Sequence, residues 1–86
     1  MIMRMGHLET LVWIARLGSF RAAAARLHLT QPTISMRVRE LEAQVGVALF
    51  DRRSYRARLT PRGREVVGYA EQILGLADRI DRKSVV

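Results

Sequence analysis

The sequence predicts a mainly α-helical fold with one small β-hairpin and a long final helix. Apolar residues recur at steps of three and four through most of the chain. Gly, Ser, Thr and Pro punctuate that pattern where helices start and stop, and one stretch near Arg53 switches to alternating apolar and charged residues. With 86 residues the chain is expected to be one folded body, because a domain usually takes roughly 100–200 residues. A chain this small buries only about 60% of its unfolded surface, so a partner subunit would strengthen its thin core.

The first helix is expected over Met5 to Leu17, where Leu8, Leu11, Val12 and Ala15 form one stripe and Gly18 follows as a stop. Trp13 falls about 140° from Leu8 at 100° per residue, and is expected to face a neighbour. Ser19 then caps a short second helix, Phe20 to Leu27, whose run of alanines lets another helix approach closely. After His28-Leu29, Thr30 caps a third helix with Pro32 in its first turn, where a missing N–H costs little. Ile34, Val38, Leu41 and Val45 lie within about 40° of one another around the axis and make its core face. Pro32, Thr33, Met36, Arg39 and Glu40 face outward, Ser35 and Arg37 sit at the flanks, and Gly46 ends the helix.

Two short helices joined by a tight turn are either a helix-turn-helix or an αα-hairpin within a small bundle, and the pattern alone weights them equally. Charge separates them. The formal net charge is +7, and the stretch from Arg21 to Arg64 holds ten arginines against three acids, while the rest of the chain balances. A basic excess gathered on one element points to a polyanionic partner, which favours the helix-turn-helix.

Val47 to Arg52 and Tyr55 to Thr60 alternate in part and flank Arg53-Ser54, giving a hairpin, or wing, with an arginine-rich tip. Thr60-Pro61 opens the last helix, expected to run for about 20 residues. Its apolar stripe is Val66, Ala70, Ile73, Ala77 and Ile80, broadened by Val67, Tyr69, Leu74 and Leu76. Such a helix either folds back on its own domain or pairs with the same helix of a second chain, and Gly68 and Gly75 would permit close approach. The assembled order is a winged helix-turn-helix over 3–60 followed by a dimerisation helix over 61–83.

Several functions are disfavoured. The absence of cysteine excludes disulfides, thiol nucleophiles and zinc fingers. His7 and His28 have no ligand at metal-binding spacing, and surface or turn roles suffice for them. Glu40 and Glu42 are expected to orient arginines. No nucleophile, base and orienter fall together, so neither an enzyme nor a cofactor is expected. No apolar run of roughly 20 residues or signal segment is present, so a cytoplasmic protein without membrane partner is expected.

Gly18-Ser19-Phe20, Ala23-Ala24, Arg26-Leu27-His28, Thr30-Gln31-Pro32-Thr33-Ile34-Ser35, Leu41-Glu42, Gly46 through Arg52, Leu59-Thr60-Pro61 and Gly63 together resemble the N-terminal DNA-binding region of LysR-type transcriptional regulators. The resemblance covers about Met3 to Ile80. It implies double-stranded DNA as partner, a homodimer paired through antiparallel linker helices, and a C-terminal ligand-sensing domain that this chain lacks. A small-molecule inducer, and any higher oligomer, would belong to that missing domain. Base reading is implied for Gln31, Pro32, Thr33, Ser35 and Met36. Residue type makes Arg37, Arg39, Arg52, Arg53, Arg56 and Arg58 candidates for phosphate or minor-groove contact, about half of them being expected to touch DNA, and Ser19, at a helix N-terminus, is a candidate too. The dimer contact is expected at Val66, Ala70, Ile73, Leu74, Ala77, Ile80 and Trp13. Met36 and Tyr55 depart from the family pattern where arginine is frequent, and Arg4 stands where a small capping residue is usual.

Overall fold

The computed structural model describes residues 4–53 and 56–84, the last three of these by backbone alone. Ser54 of the hairpin turn and the departure at Tyr55 lie outside the described residues. The elements run α1 (Met5–Leu17), α2 (Phe20–Leu27), α3 (Gln31–Val45) and α4 (Pro61–Ser84).

Local chemistry sets each boundary. Gly18 and Gly46 close α1 and α3 in the left-handed region, with φ of 69° and 78°, a conformation that costs glycine little. The Ser19 hydroxyl accepts from the Ala22 amide at 3.0 Å and the Thr30 hydroxyl from the Thr33 amide at 3.2 Å, caps worth about 1 kcal/mol each. Arg4 begins α1 with no side-chain cap.

The core joins Leu8, Leu11 and Ile14 of α1 to Ala23 and Ala24 of α2, Ile34, Val38 and Leu41 of α3, the Leu49-Phe50 pair, and Val66 and Ala70 of α4. Each fully buried Leu or Ile among them contributes about 1.5–3 kcal/mol. One stripe on α1 proves too narrow a description. Ile14, His7 and Thr10 are buried as well, whereas Ala15 is only half-buried. The reason is that α1 packs against all three other helices, so most of its circumference is covered. The surface or turn role expected for His7 is thereby corrected: it is an interior residue.

The hairpin contracts to one antiparallel bridge, Phe50 with Leu59, among the described residues. The Asp51 amide donates to the Arg58 carbonyl at 2.8 Å and the Thr60 amide to the Leu49 carbonyl at 3.0 Å. Leu49 and Phe50 are consecutive and both buried, and because strand neighbours face opposite sides, the chain is covered on both faces here. The rings of Phe20 and Phe50 meet edge to face at 5.2 Å, seating the bridge against α2.

Thr60 joins the wing to α4. Its hydroxyl donates to the Ala48 carbonyl at 2.8 Å and accepts the Gly63 amide at 2.9 Å. Gly63 lies so close to the wing that a Cβ there would stand 2.1 Å from the Leu49 carbonyl oxygen, so only glycine fits. With 24 residues α4 exceeds the expected length. It lies along α1, where Arg16 pairs with Glu71 at 3.3 Å, and its first half is part of the common core. No helix among the described residues is long and apolar enough to cross a membrane.

Candidate nucleic-acid interface

The turn between α2 and α3 is built on His28, whose φ of 58° puts it in the left-handed region. That bend returns the Leu29 amide to the Ala24 carbonyl at 2.9 Å and leaves Leu29 packed on the core, which fixes where α3 begins. Gln31 and Pro32 are exposed at its first turn, Thr33 and Ser35 are half-buried, and Met36 is 44% exposed. The helix therefore buries its Ile34, Val38 and Leu41 face and presents its N-terminal residues outward, with a positive dipole end beside them.

The wing runs beside α3. Between them lies a cleft of about 290 Å³, walled by Ser35, Arg39, Arg52 and Arg56 and floored by Phe20, Val38 and Phe50. Glu42 ties the two elements together: one carboxylate oxygen accepts the Leu49 amide at 2.8 Å and the other pairs with Arg52 at 2.7 Å. Glu42 thus orients an arginine, as expected. Arg53 folds onto Asp51, donating from its amide at 2.9 Å and from its Nε at 3.3 Å. Those two bonds, backbone first, hold the Asp51 carboxyl below its ordinary range. Arg39, Arg52 and Arg56 are exposed along this cleft, and Arg53 and Arg58 are exposed elsewhere on the wing.

Besides Arg52 and Arg53, three more of the expected contact residues are engaged within the domain. Ser19 is half-buried and spends its hydroxyl on the α2 cap. Arg37 turns inward, donating from Nη1 to the Gly6 carbonyl at 3.1 Å and to the Thr10 hydroxyl at 3.3 Å. Trp13 is half-buried beside α4, with the Arg26 guanidinium 4.3 Å and the Arg16 guanidinium 5.5 Å from its ring. Glu40 does not orient an arginine as expected; its carboxylate meets the Nε2 of His7 at 2.7 Å. That hydrogen bond, with the charges of His7, Arg4 and Arg37, lowers the Glu40 pKa from its ordinary value. The His7–Glu40 and Arg37–Gly6–Thr10 ties escape a reading by stripes, since their partners lie 27 or more residues apart.

The expected dimer contact divides. Val66 and Ala70 are buried in the core of their own subunit, so they are unavailable to a partner, and Leu74 and Ala77 are half-buried. Tyr69, Ile73, Leu76 and Ile80 are exposed along one side of α4.

An exposed N-terminal turn on the second helix of a tight helix pair, flanked by a basic wing, defines a helix-turn-helix DNA-binding domain. The family model for bacterial regulatory helix-turn-helix proteins of the lysR family matches residues 5–64, and the chain belongs to that family. Its relatives include the transcriptional regulator CfxR of Cupriavidus necator, 46% identical over 69 residues, which span 80% of this chain and 22% of that protein. Full-length OxyR from Pseudomonas aeruginosa superposes with a TM-score of 0.92 at 36% identity, over 96% of this chain and 28% of that one. The CbnR DNA-binding domain, solved as a complex with DNA, superposes with a TM-score of 0.88 at 38% identity, over 95% of this chain and 94% of that one. The chain thus spans about a quarter of the length of full-length relatives such as CfxR and OxyR.

Proposed function

We propose that the chain reads a specific double-stranded DNA sequence as a homodimer on an interrupted palindrome, and thereby regulates transcription in the cytoplasm. The observation that carries this reading is the outward-facing first turn of α3, with Gln31, Pro32 and Met36 exposed, beside a cleft lined by the exposed Arg39, Arg52 and Arg56. In the major groove Gln31 pairs with adenine, Pro32 and the Thr33 methyl pack on thymine methyl groups, Ser35 donates or accepts, and Met36 adds an apolar contact. Arg39, Arg52, Arg53, Arg56 and Arg58 neutralise phosphates or enter the minor groove. The DNA complex of the similar CbnR domain supports this docking. It is a binding module and not an enzyme. In a full-length regulator an effector domain with its small-molecule inducer would act on this module from beyond α4.

The homodimer is supported by the spacing on α4. The exposed residues Tyr69, Ile73, Leu76 and Ile80 follow at four, three and four residues, a pattern that reads the same in both directions. Two antiparallel copies can therefore set Tyr69 against the partner's Ile80 and Ile73 against the partner's Leu76, giving four apolar layers from one strip. Ile73 and Ile80 then form the seam, with Leu74 and Ala77 at its edge.

Selection of bound duplexes from a random pool, followed by affinity measurement across salt concentrations, tests the reading. A dimer covering roughly 8 phosphates should show log K falling with log salt at a slope near −7, with the recovered duplex bound well above random duplex. Affinity indifferent to salt, or equal for both duplexes, would overturn it. On the recovered duplex Gln31→Ala should cost about 1–3 kcal/mol, whereas Arg58→Ala should weaken all sequences alike.

A further inference from the structure

We infer that Arg37 is a positioning residue for base reading: its guanidinium sets the roll of α3 against α1 and does not serve as a phosphate ligand. This rests on the reading of α3 as the DNA-reading helix. Apolar contacts of Ile34, Val38 and Leu41 hold α3 to the core, but such contacts are non-directional and leave rotation about the helix axis weakly fixed. Side-chain tips stand about 5–6 Å from that axis, so a roll of about 10° moves them by about 1 Å. A working site tolerates about 0.5 Å. Directional bonds are needed, and Arg37 supplies two, at 3.1 Å to the Gly6 carbonyl and 3.3 Å to the fully buried Thr10 hydroxyl.

The first turn of α1 is shaped to receive it. Thr10 donates its own hydroxyl to the same Gly6 carbonyl at 2.8 Å, closing a three-membered network. A Cβ at residue 6 would stand 3.0 Å from Arg37 Nη1, so glycine there leaves room for the guanidinium. One turn further along α3, Glu40 meets His7, whose side chain is 9% exposed, at 2.7 Å. On the other flank of α3, about 140° round the axis from Arg37, Glu42 holds the Leu49 amide and Arg52. The reading turn is thus braced from both sides, and the brace toward α1 is centred on an arginine whose residue type alone suggests a phosphate contact.

Binding of the selected and random duplexes across salt concentrations separates the roles, using the 86-residue chain with Arg37→Gln, Arg37→Lys and Gly6→Ala. A positioning role predicts that Arg37→Gln loses about tenfold in preference for the selected duplex, while random-duplex affinity and the salt slope stay as in the wild type. Gly6→Ala keeps every charge and should lower the same preference by crowding the guanidinium, and Arg37→Lys should recover part of it through one remaining donor. A slope shallower by about one unit per subunit, with both duplexes weakened alike, would make Arg37 a phosphate ligand and overturn the inference. A lower melting temperature with unchanged binding of both duplexes by the folded variants would leave it a stabilising residue alone, and overturn the inference too. Wild-type protein that prefers no duplex would instead remove the DNA reading on which it stands.

Discussion

Two sides of α4 belong to one helix, yet they have opposite fates. Val66 and Ala70 are 7% and 1% exposed, whereas Tyr69, Leu76 and Ile80 are 60%, 58% and 68% exposed. The cause is direction around the axis. At 100° per residue Val66, Ala70, Leu74 and Ala77 fall within about 80° of one another on the covered side, while Tyr69, Ile73, Leu76 and Ile80 fall on the side next to it, which stays open. An apolar period thus says that a face needs covering. What covers it depends on which side the neighbouring element takes.

The largest expected effect contrasts the two sides directly. Val66→Asp should destabilise the domain by about 3–5 kcal/mol, because it places an unpaired charge in the core. Leu76→Asp should leave monomer stability within about 0.5 kcal/mol while abolishing self-association. Urea unfolding at low protein concentration, together with sedimentation, reads both. Equal destabilisation would mean that the side carrying Leu76 is covered by its own subunit, and a surviving dimer would move the contact elsewhere.

The glycines sharpen the same contrast. Gly63→Ala drives a methyl against the Leu49 carbonyl, and should cost about 3 kcal/mol or more as the wing is displaced. Gly75 has nothing within 4 Å of its Cβ position, so Gly75→Ala should raise stability by about 0.5–1 kcal/mol through helix propensity. Thermal melts of the two variants should therefore move in opposite directions.

The smallest effect contrasts the apolar hold on α4 with the polar hold on α3. The His7 hydrogen bond, and then the charges of His7, Arg4 and Arg37, lower the Glu40 pKa from 4.5. Its carboxylate therefore contributes stability above that value, and the contribution is lost as pH falls through the folded-state value. The stability difference between wild type and Glu40→Gln should accordingly shrink on acidification below about pH 4.5. A difference that is constant through that range would detach Glu40 from the acid response.

The parts legible in the sequence are those written in local chemistry. Gly18, Ser19, Thr30, Gly46 and Thr60-Pro61 each act within a turn of their own position, so all four helices fall where those residues put them. The exposure of Pro32 and Met36 follows from the burial of Ile34, Val38 and Leu41 on the opposite face, whereas Gln31, within about 20° of Val38 around the axis, is exposed because it opens the helix. Less legible are contacts between distant segments. Ile14 and His7 are buried because α1 has three neighbours, and Gly63 is needed because a carbonyl of the wing lies against it. Neither fact leaves a periodic trace. Residue type misled at Arg37, since an arginine in a basic stretch carries no mark of whether it faces solvent or a backbone carbonyl.

Amide NMR of the chain titrated with a duplex recovered from a random pool tests the central claim most directly. The largest shifts should centre on Thr30 to Arg39 and the flanking wing residues, with Tyr69, Leu76 and Ile80 unmoved. Changes concentrated on the exposed strip of α4, with Gln31 to Met36 silent, would contradict the account.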